Sequence, residues 1–295
     1  MRKSNGSRVE LSVDMLRSFV TLARTLNVSD AAQELGVTRQ TFRRYINDLE
    51  VIRGGKLLTL KRGRYALTTL GMQFLQDANE ILWRVNSCDI RNRYSLRKMD
   101  GFEHSQYLGA DGRKFYSQQH SLSSVNTTGL PIVKELLRAW GTSATQLEHE
   151  EMDAIRPYLV IYRRSQRGWI CADIGDNSAY GRWFGSAWAK SARGALSEDD
   201  QVGDEFNTFV SRAYSEIYYG GSIRIDHLFA YLPRGGFDAP QPVNFQRVLA
   251  GCVFPDGQQA LAVLVAITNR VEIQSIPEAE RFVVTEELIM DGEKI

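Results

Sequence analysis

A chain of 295 residues is long enough for two domains, and with 43% apolar, 24% charged and 10% aromatic residues its composition is that of a globular protein. No stretch reaches the roughly eighteen uncharged apolar residues of a membrane-spanning helix, and the basic start "MRKSNGSRVE" has no apolar run behind it, so neither a membrane span nor a secretory leader is expected. The net charge of +1 hides an asymmetry: residues 1–100 carry 18 Lys+Arg against 10 Asp+Glu, a balance of +8, which leaves −7 for the rest. A basic first third joined to an acidic remainder suits a polyanion-binding module followed by a domain with another task.

In chain order, Ser12 is placed to cap a first helix whose apolar face is Leu16, Phe19, Val20, Ala23 and Leu26. Ser29 is read as the cap of a short second helix with Ala31, Ala32 and Leu35, ended by Gly36. Thr38 caps a third, with Phe42, Tyr45, Ile46 and Leu49 inward and Arg39, Gln40, Arg43, Arg44 and Asn47 outward. Small residues at the helix crossing and a glycine in the turn define a helix-turn-helix, whose last helix enters the DNA major groove. Arginine there pairs with phosphate or guanine, and Gln40 and Asn47 with adenine. "LLTL" (57–60) and "YAL" (65–67) read as two strands around Lys61, Arg62, Gly63 and Arg64, a basic hairpin that lies against the DNA backbone as a wing. Thr68 or Thr69 then caps a longer helix with a near-heptad stripe of Phe74, Leu75, Ala78, Ile81, Leu82 and Val85, read as a dimer seam.

"MLRSFVTLARTLNVSDAAQELGVTRQTFRRYINDLE", then "GGKL" and "ALTTLG", resembles the winged helix-turn-helix of LysR-type transcriptional regulators over residues 11–85. The resemblance implies that Asn27 and Ser29 lie near phosphates, that Thr38, Arg39, Gln40, Thr41, Arg43 and Arg44 face the groove, and that the linker helix pairs in a dimer. Two departures stand out. Gln40 and Arg43 occupy positions where the family usually has proline and serine, and its Leu-Phe-x-Arg appears as Leu57-Leu58-Thr59-Leu60.

That family usually continues into two α/β lobes, but the last two thirds do not alternate strand and helix. A hairpin across "GADG" (109–112) is expected, then a helix at "LPIVKELLRAW" (130–140) and another at "ATQLEHEEMDAI" (144–155). Strands follow at 158–164 and 168–175, short helical turns near "WFG", one longer helix at 204–219, then strands at 222–233, 243–254 and 259–273. This order resembles a PAS domain, which implies a five-stranded antiparallel sheet with helices over one face and often a pocket. Candidate pocket residues are Trp169, Tyr180, Trp183, Trp188, Phe229, Tyr231 and Phe254, against the plainer reading that they are core. His227 as a haem ligand and Cys171 with Cys252 as a redox pair are weaker alternatives to ordinary buried side chains. Residues 282–285 alternate like a strand in an otherwise undecided tail.

The expected fold is therefore α+β: a winged helix-turn-helix at 11–67, a linker helix at 68–88, a connecting segment at 89–143, a PAS-like antiparallel domain at 144–275 and a tail at 276–295. No G-x-S-x-G, H-E-x-x-H, Walker loop or G-x-G-x-x-G occurs, and the four histidines lack ligand spacing, so no catalytic residue, cofactor or metal is expected. The reading is a cytoplasmic regulator that binds double-stranded DNA as a homodimer or higher homo-oligomer and answers to a small-molecule effector. The alternatives are a regulator with a diverged two-lobed effector domain, and a helix-turn-helix turned to protein binding.

Overall fold

The computed structural model describes residues 10–61, 64–89, 94–165, 168–197 and 202–293. The chain forms two compact units, 1–91 and 92–295.

In the first unit, α1 (Val13–Thr25), α2 (Val28–Glu34) and α3 (Arg39–Arg53) are followed by β1 (Leu58–Lys61), β2 (Arg64–Leu67) and α4 (Thr69–Asp89). Ser12 caps α1 and Thr38 caps α3 as expected. The cap of α2 is Asn27 rather than Ser29: its side-chain oxygen accepts from the Ser29 N–H at 2.8 Å. Gly36, at φ 64°, makes the left-handed turn into α3, and Ala31 and Ala32 are fully buried where the helices cross. β1 and β2 pair from Leu58 opposite Leu67 to Lys61 opposite Arg64. Gly71 is demanded by close approach, since a Cβ there would sit 2.0 Å from the Leu57 carbonyl oxygen.

The stripe on α4 has a different role from the one its spacing suggested. Phe74, Leu75, Ala78 and Leu82 are 9% exposed or less and belong to the core of this unit, with the Phe74 ring stacked 5.3 Å from that of Phe19 on α1. They have no surface left for a partner helix. A three-helix head of this size needs a fourth wall, and α4 supplies it. Ile81 and Val85 remain half-buried.

The second unit is built on one eight-stranded sheet: β3 (Tyr94–Met99), β4 (Phe102–Leu108), β5 (Lys114–His120), β6 (Leu159–Ser165), β7 (Gly168–Ile174), β8 (Ile223–Leu232), β9 (Gln241–Val253) and β10 (Gln259–Ile267). Its order is β3-β4-β5-β8-β9-β10-β6-β7, with every neighbouring pair antiparallel. Two lobes with parallel strands are therefore excluded for this unit. The five strands after residue 158 lie in the order second, first, fifth, fourth, third, so they form the compact sheet expected. That sheet continues through β5, β4 and β3, whose hairpin turns at Gly109–Arg113. No break in it falls at residue 143.

Register separates the two faces. Ile225, Val248, Leu264 and Leu159 form one cross-strand row; Leu249, Val263, Val160 and Ile174 form another on the opposite side. Both rows are buried, because helices cover both faces and not one. On the first face the segment leading into α5 (Pro131–Thr142) is held by Gln246, whose side chain accepts from the Leu130 N–H and donates to the Thr128 carbonyl. The second is covered by α6 (Ala179–Phe184), α7 (Ser186–Ala192), α8 (Asp204–Val210) and α9 (Tyr214–Gly220).

Three expected elements differ. Residues 144–155 are not one α-helix but hold only a 3-10 turn at Glu150–Met152: Ala144 and Thr145 have positive φ, and Thr145 and Leu147 exchange backbone hydrogen bonds with Val253, strapping the segment to the end of β9. The long helix at 204–219 is split at 211–213, where the Arg247 guanidinium takes the Val210 carbonyl at 2.6 Å. The tail at 282–285 joins no strand; Asn269 binds both the N–H and the carbonyl of buried Val284.

Candidate nucleic-acid interface

α3 carries Phe42, Ile46 and Leu49 into the core, which turns Arg39, Gln40, Arg43, Arg44 and Asn47 to solvent as one exposed face. Thr38 accepts from the Thr41 N–H at 3.1 Å, and its hydroxyl lies 3.0 Å from that of Thr41. Thr41 is thus half-buried in the cap, behind the exposed face expected of it. Asn27 is exposed and Ser29 half-buried at the start of α2.

The basic residues of this unit fall into two groups. Arg24 pairs with Glu34, and Arg53 pairs with Asp77 while its guanidinium lies 4.2 Å from the Phe74 ring centroid. These support the fold. Among the described residues Arg39 and Arg43 form no ion pair, and Arg44 only flanks the Tyr45 ring at 5.6 Å. Exposed guanidinium groups left without carboxylates present a positive, hydrogen-bond-donating face of the kind that meets phosphate and the guanine edge. Lys61 and Arg64 end the paired strands of the wing; Arg62 and Gly63 lie outside the described residues.

Glu50, which the sequence motif marks only as the end of the third helix, locks wing to helix. Glu50, 7% exposed, accepts from the backbone N–H of Leu57 at 3.0 Å and of Leu58 at 3.4 Å, and from Lys56 Nζ at 2.6 Å. Thr68 completes the clamp by donating to the Lys56 carbonyl at 2.7 Å and accepting from the Gly71 N–H. The signal in the sequence was a carboxylate on the inward side of an amphipathic helix, just before two apolar strand residues.

In the second unit an apolar cleft, open to solvent at its mouth, lies between the sheet and its helices. Tyr180 and Trp183 line it as expected, with Phe206, Tyr214, Phe245 and Arg247 among the other walls. Phe229 and Tyr231 instead pack on the opposite face of the sheet with Tyr116, Ile273 and Ile276. Trp169 packs edge-on against Tyr214 and Tyr218, Trp188 stacks on Tyr180, and Phe254 carries Arg163 over its ring at 3.6 Å. None of these five lines the cleft.

His227 is committed elsewhere: Nδ1 accepts from the Glu272 N–H at 2.9 Å and its ring lies 3.9 Å from that of His120. Burial first, then the neighbouring His120, lowers its pKa to about 3, against Asp226. Cys171 and Cys252 are both buried, on opposite faces of the sheet, with no disulfide between them. Burial pushes the Cys252 thiol up to about 12. The described residues contain no group of three or more His, Cys, Asp or Glu side chains arranged to hold a metal.

A helix-turn-helix with an unpaired basic face on its last helix, followed by a two-stranded wing, is the architecture of a DNA-binding domain. Residues 13–72 match the bacterial regulatory helix-turn-helix protein, lysR family, so the N-terminal unit contains a domain of that kind. The Hca operon transcriptional activator HcaR of Escherichia coli (strain K12) is 38% identical over 78 residues, which cover 26% of this chain and 26% of that protein. Among solved structures, the DNA complex of the CbnR DNA-binding domain is 30% identical, covering 28% of this chain and 95% of that one, with a TM-score of 0.27. Vibrio fischeri DarR in complex with DNA is 28% identical, covering 28% of each chain, also with a TM-score of 0.27. The chain thus spans about a quarter of the length of the curated relative it matches.

Proposed function

We propose that this protein is a sequence-specific transcription regulator that binds double-stranded DNA through its N-terminal unit and is regulated through its C-terminal one. The observation that carries the reading is the face of α3, where Arg39, Gln40, Arg43, Arg44 and Asn47 stand exposed on a helix fixed by its cap and core. In the major groove Arg43 reads guanine, Gln40 and Asn47 read adenine, and Arg39 and Arg44 reach phosphate or guanine. Thr38 and Thr41 set the helix start against the backbone, with Asn27 and Ser29 beside the same strand. Lys61, Arg62 and Arg64 follow the phosphates as the wing.

The protein acts as a homodimer or higher homo-oligomer, with two reading heads about one DNA turn or a multiple of it apart. Of the α4 stripe, Ile81 and Val85 are the members that keep surface for pairing. The second unit is a PAS-like regulatory domain, supported by the strand order of β7-β6-β10-β9-β8 and by the cleft between that sheet and its helices. A small-molecule effector there biases the dimer and so its DNA affinity. The protein works in the cytoplasm and as a regulator, not an enzyme; no described helix is long and apolar enough to cross a membrane.

The test is selection of duplexes from a random library by the full-length protein, followed by sequencing. A recovered motif with two related half-sites supports a dimeric reader. Recovery of unenriched sequence at low salt refutes it.

A further inference from the structure

The cleft of the second unit has a chemistry of its own. Its floor is three adjacent strands, with Phe245 and Arg247 of β9, Val263 and Val265 of β10 and Leu232 of β8. Its roof is α6, α8 and α9. The charged group in the wall is Arg247, 4% exposed, and it is spent. Nε and Nη2 donate to Asp226 Oδ2 at 3.2 and 2.6 Å, and Nη1 donates to the Val210 carbonyl. Asp226 is held in turn by Arg224, and Arg224 by Glu103, so two positive and two negative groups neutralise one another. The Trp183 indole N–H is likewise engaged, by the Pro233 carbonyl at 2.7 Å.

An anionic ligand entering this cleft meets an arginine already neutralised by a buried carboxylate. It loses hydration and meets no compensating charge. An apolar ligand loses nothing and meets aromatic rings on both sides. We infer that the cleft binds one uncharged, largely apolar, ring-bearing small molecule. The inference rests on the regulatory reading of this unit and adds the ligand class to it. It also gives the ligand a route to the backbone: Arg247 lies in the wall and holds the carbonyl at which α8 stops, so an occupant that moves this side chain acts on the α8–α9 break.

The experiment uses the full chain and the uncharged fluorescent probe N-phenyl-1-naphthylamine, with naphthalene and 1-naphthoate as competitors of equal ring size. The expected result is saturable binding at one site, displaced by naphthalene and not by 1-naphthoate at about tenfold higher concentration, a gap of ~1.4 kcal/mol. Val265→Phe narrows the cleft from the floor and Ala179→Leu from the roof; either, shown folded by circular dichroism, weakens the probe about tenfold or more. Tyr231→Phe, on the other face of the sheet, leaves it unchanged. Absence of saturable binding, equal displacement by naphthoate, or unchanged binding in both narrowed variants overturns the inference. DNA affinity measured with and without naphthalene is a separate readout: no change there, with probe binding intact, refutes the regulatory reading and leaves the ligand site standing.

Discussion

Glu50 ties α3 to the start of the wing, and replacing it has a consequence that can be sized from its contacts. Glu50→Ala removes the acceptor of two backbone N–H groups. That of Leu57, at 3.0 Å and buried, becomes an unsatisfied donor costing about 1–3 kcal/mol. That of Leu58, at 3.4 Å, is a weaker bond and adds about 0.5–1 kcal/mol. The ion pair with Lys56 adds little, because the lysine is 72% exposed and water screens it. The expected loss is about 1.5–4 kcal/mol for the first unit alone, read as urea sensitivity of its peptides by hydrogen-exchange mass spectrometry on the intact protein. The amides of residues 57 and 58 should lose protection first, and DNA affinity should fall because the wing is no longer held at its angle. Glu50→Gln keeps one acceptor and should fall between the two. A change below about 0.5 kcal/mol with protection intact at both amides would mean that these bonds do not set the junction.

Other consequences follow from the same contacts. Thr38→Ala deletes the α3 cap and should cost about 1 kcal/mol, seen as a lower urea midpoint of the first unit. Gly71→Ala drives a methyl into the Leu57 carbonyl, so it should destabilise that unit by several times the cost of an ordinary surface substitution; calorimetry of the variant decides. Arg247→Met leaves Asp226 with one arginine and the Val210 carbonyl without its donor, an expected loss of about 3–5 kcal/mol in the second unit, whereas a loss under 1 kcal/mol contradicts the buried network. His227 has an ordinary pKa of 6.5 and a folded value of about 3, so the unfolded chain binds the extra proton between those values. Its contribution is complete above pH 6.5 and is lost as the pH falls towards 3. The urea midpoint of the second unit should therefore drop on acidification, with a shallower drop in His227→Asn.

Much of the first unit was legible because its determinants are local. Caps, helical spacing and a turn glycine lie within a few residues of what they control, and the face of α3 follows from them. Asn27 displaced Ser29 as the cap of α2 because both stand at the helix start and the choice depends on one backbone torsion. The α4 stripe was legible as apolar but not as inward: periodicity gives a face, and only the packing of Phe74 on Phe19 says what covers it.

In the second unit strand alternation located the five strands after residue 158, and their sequence along the chain is what resembled a PAS sheet, but the helix breaks came from distant residues. Arg247 ends α8 from thirty-seven positions away, and Val253 captures residues 145–147 from the far end of β9. The candidate cleft residues failed for a related reason. Phe229 and Tyr231 are aromatic like Tyr180 and Trp183, yet strand register puts them on the other face. That β3, β4 and β5 extend the sheet was hidden because their polar sequences resemble a linker.

The central claim is that the outward face of α3 reads base sequence, and fluorescence anisotropy of the full-length protein on the selected duplex and on a scrambled one tests it most directly. Arg43→Ala is compared with Arg24→Ala, an arginine already paired with Glu34. The account predicts that Arg43→Ala loses about 1–3 kcal/mol of preference for the selected duplex while Arg24→Ala keeps it. Equal preference in Arg43→Ala and the unaltered protein would contradict the assignment of α3 as the reading helix.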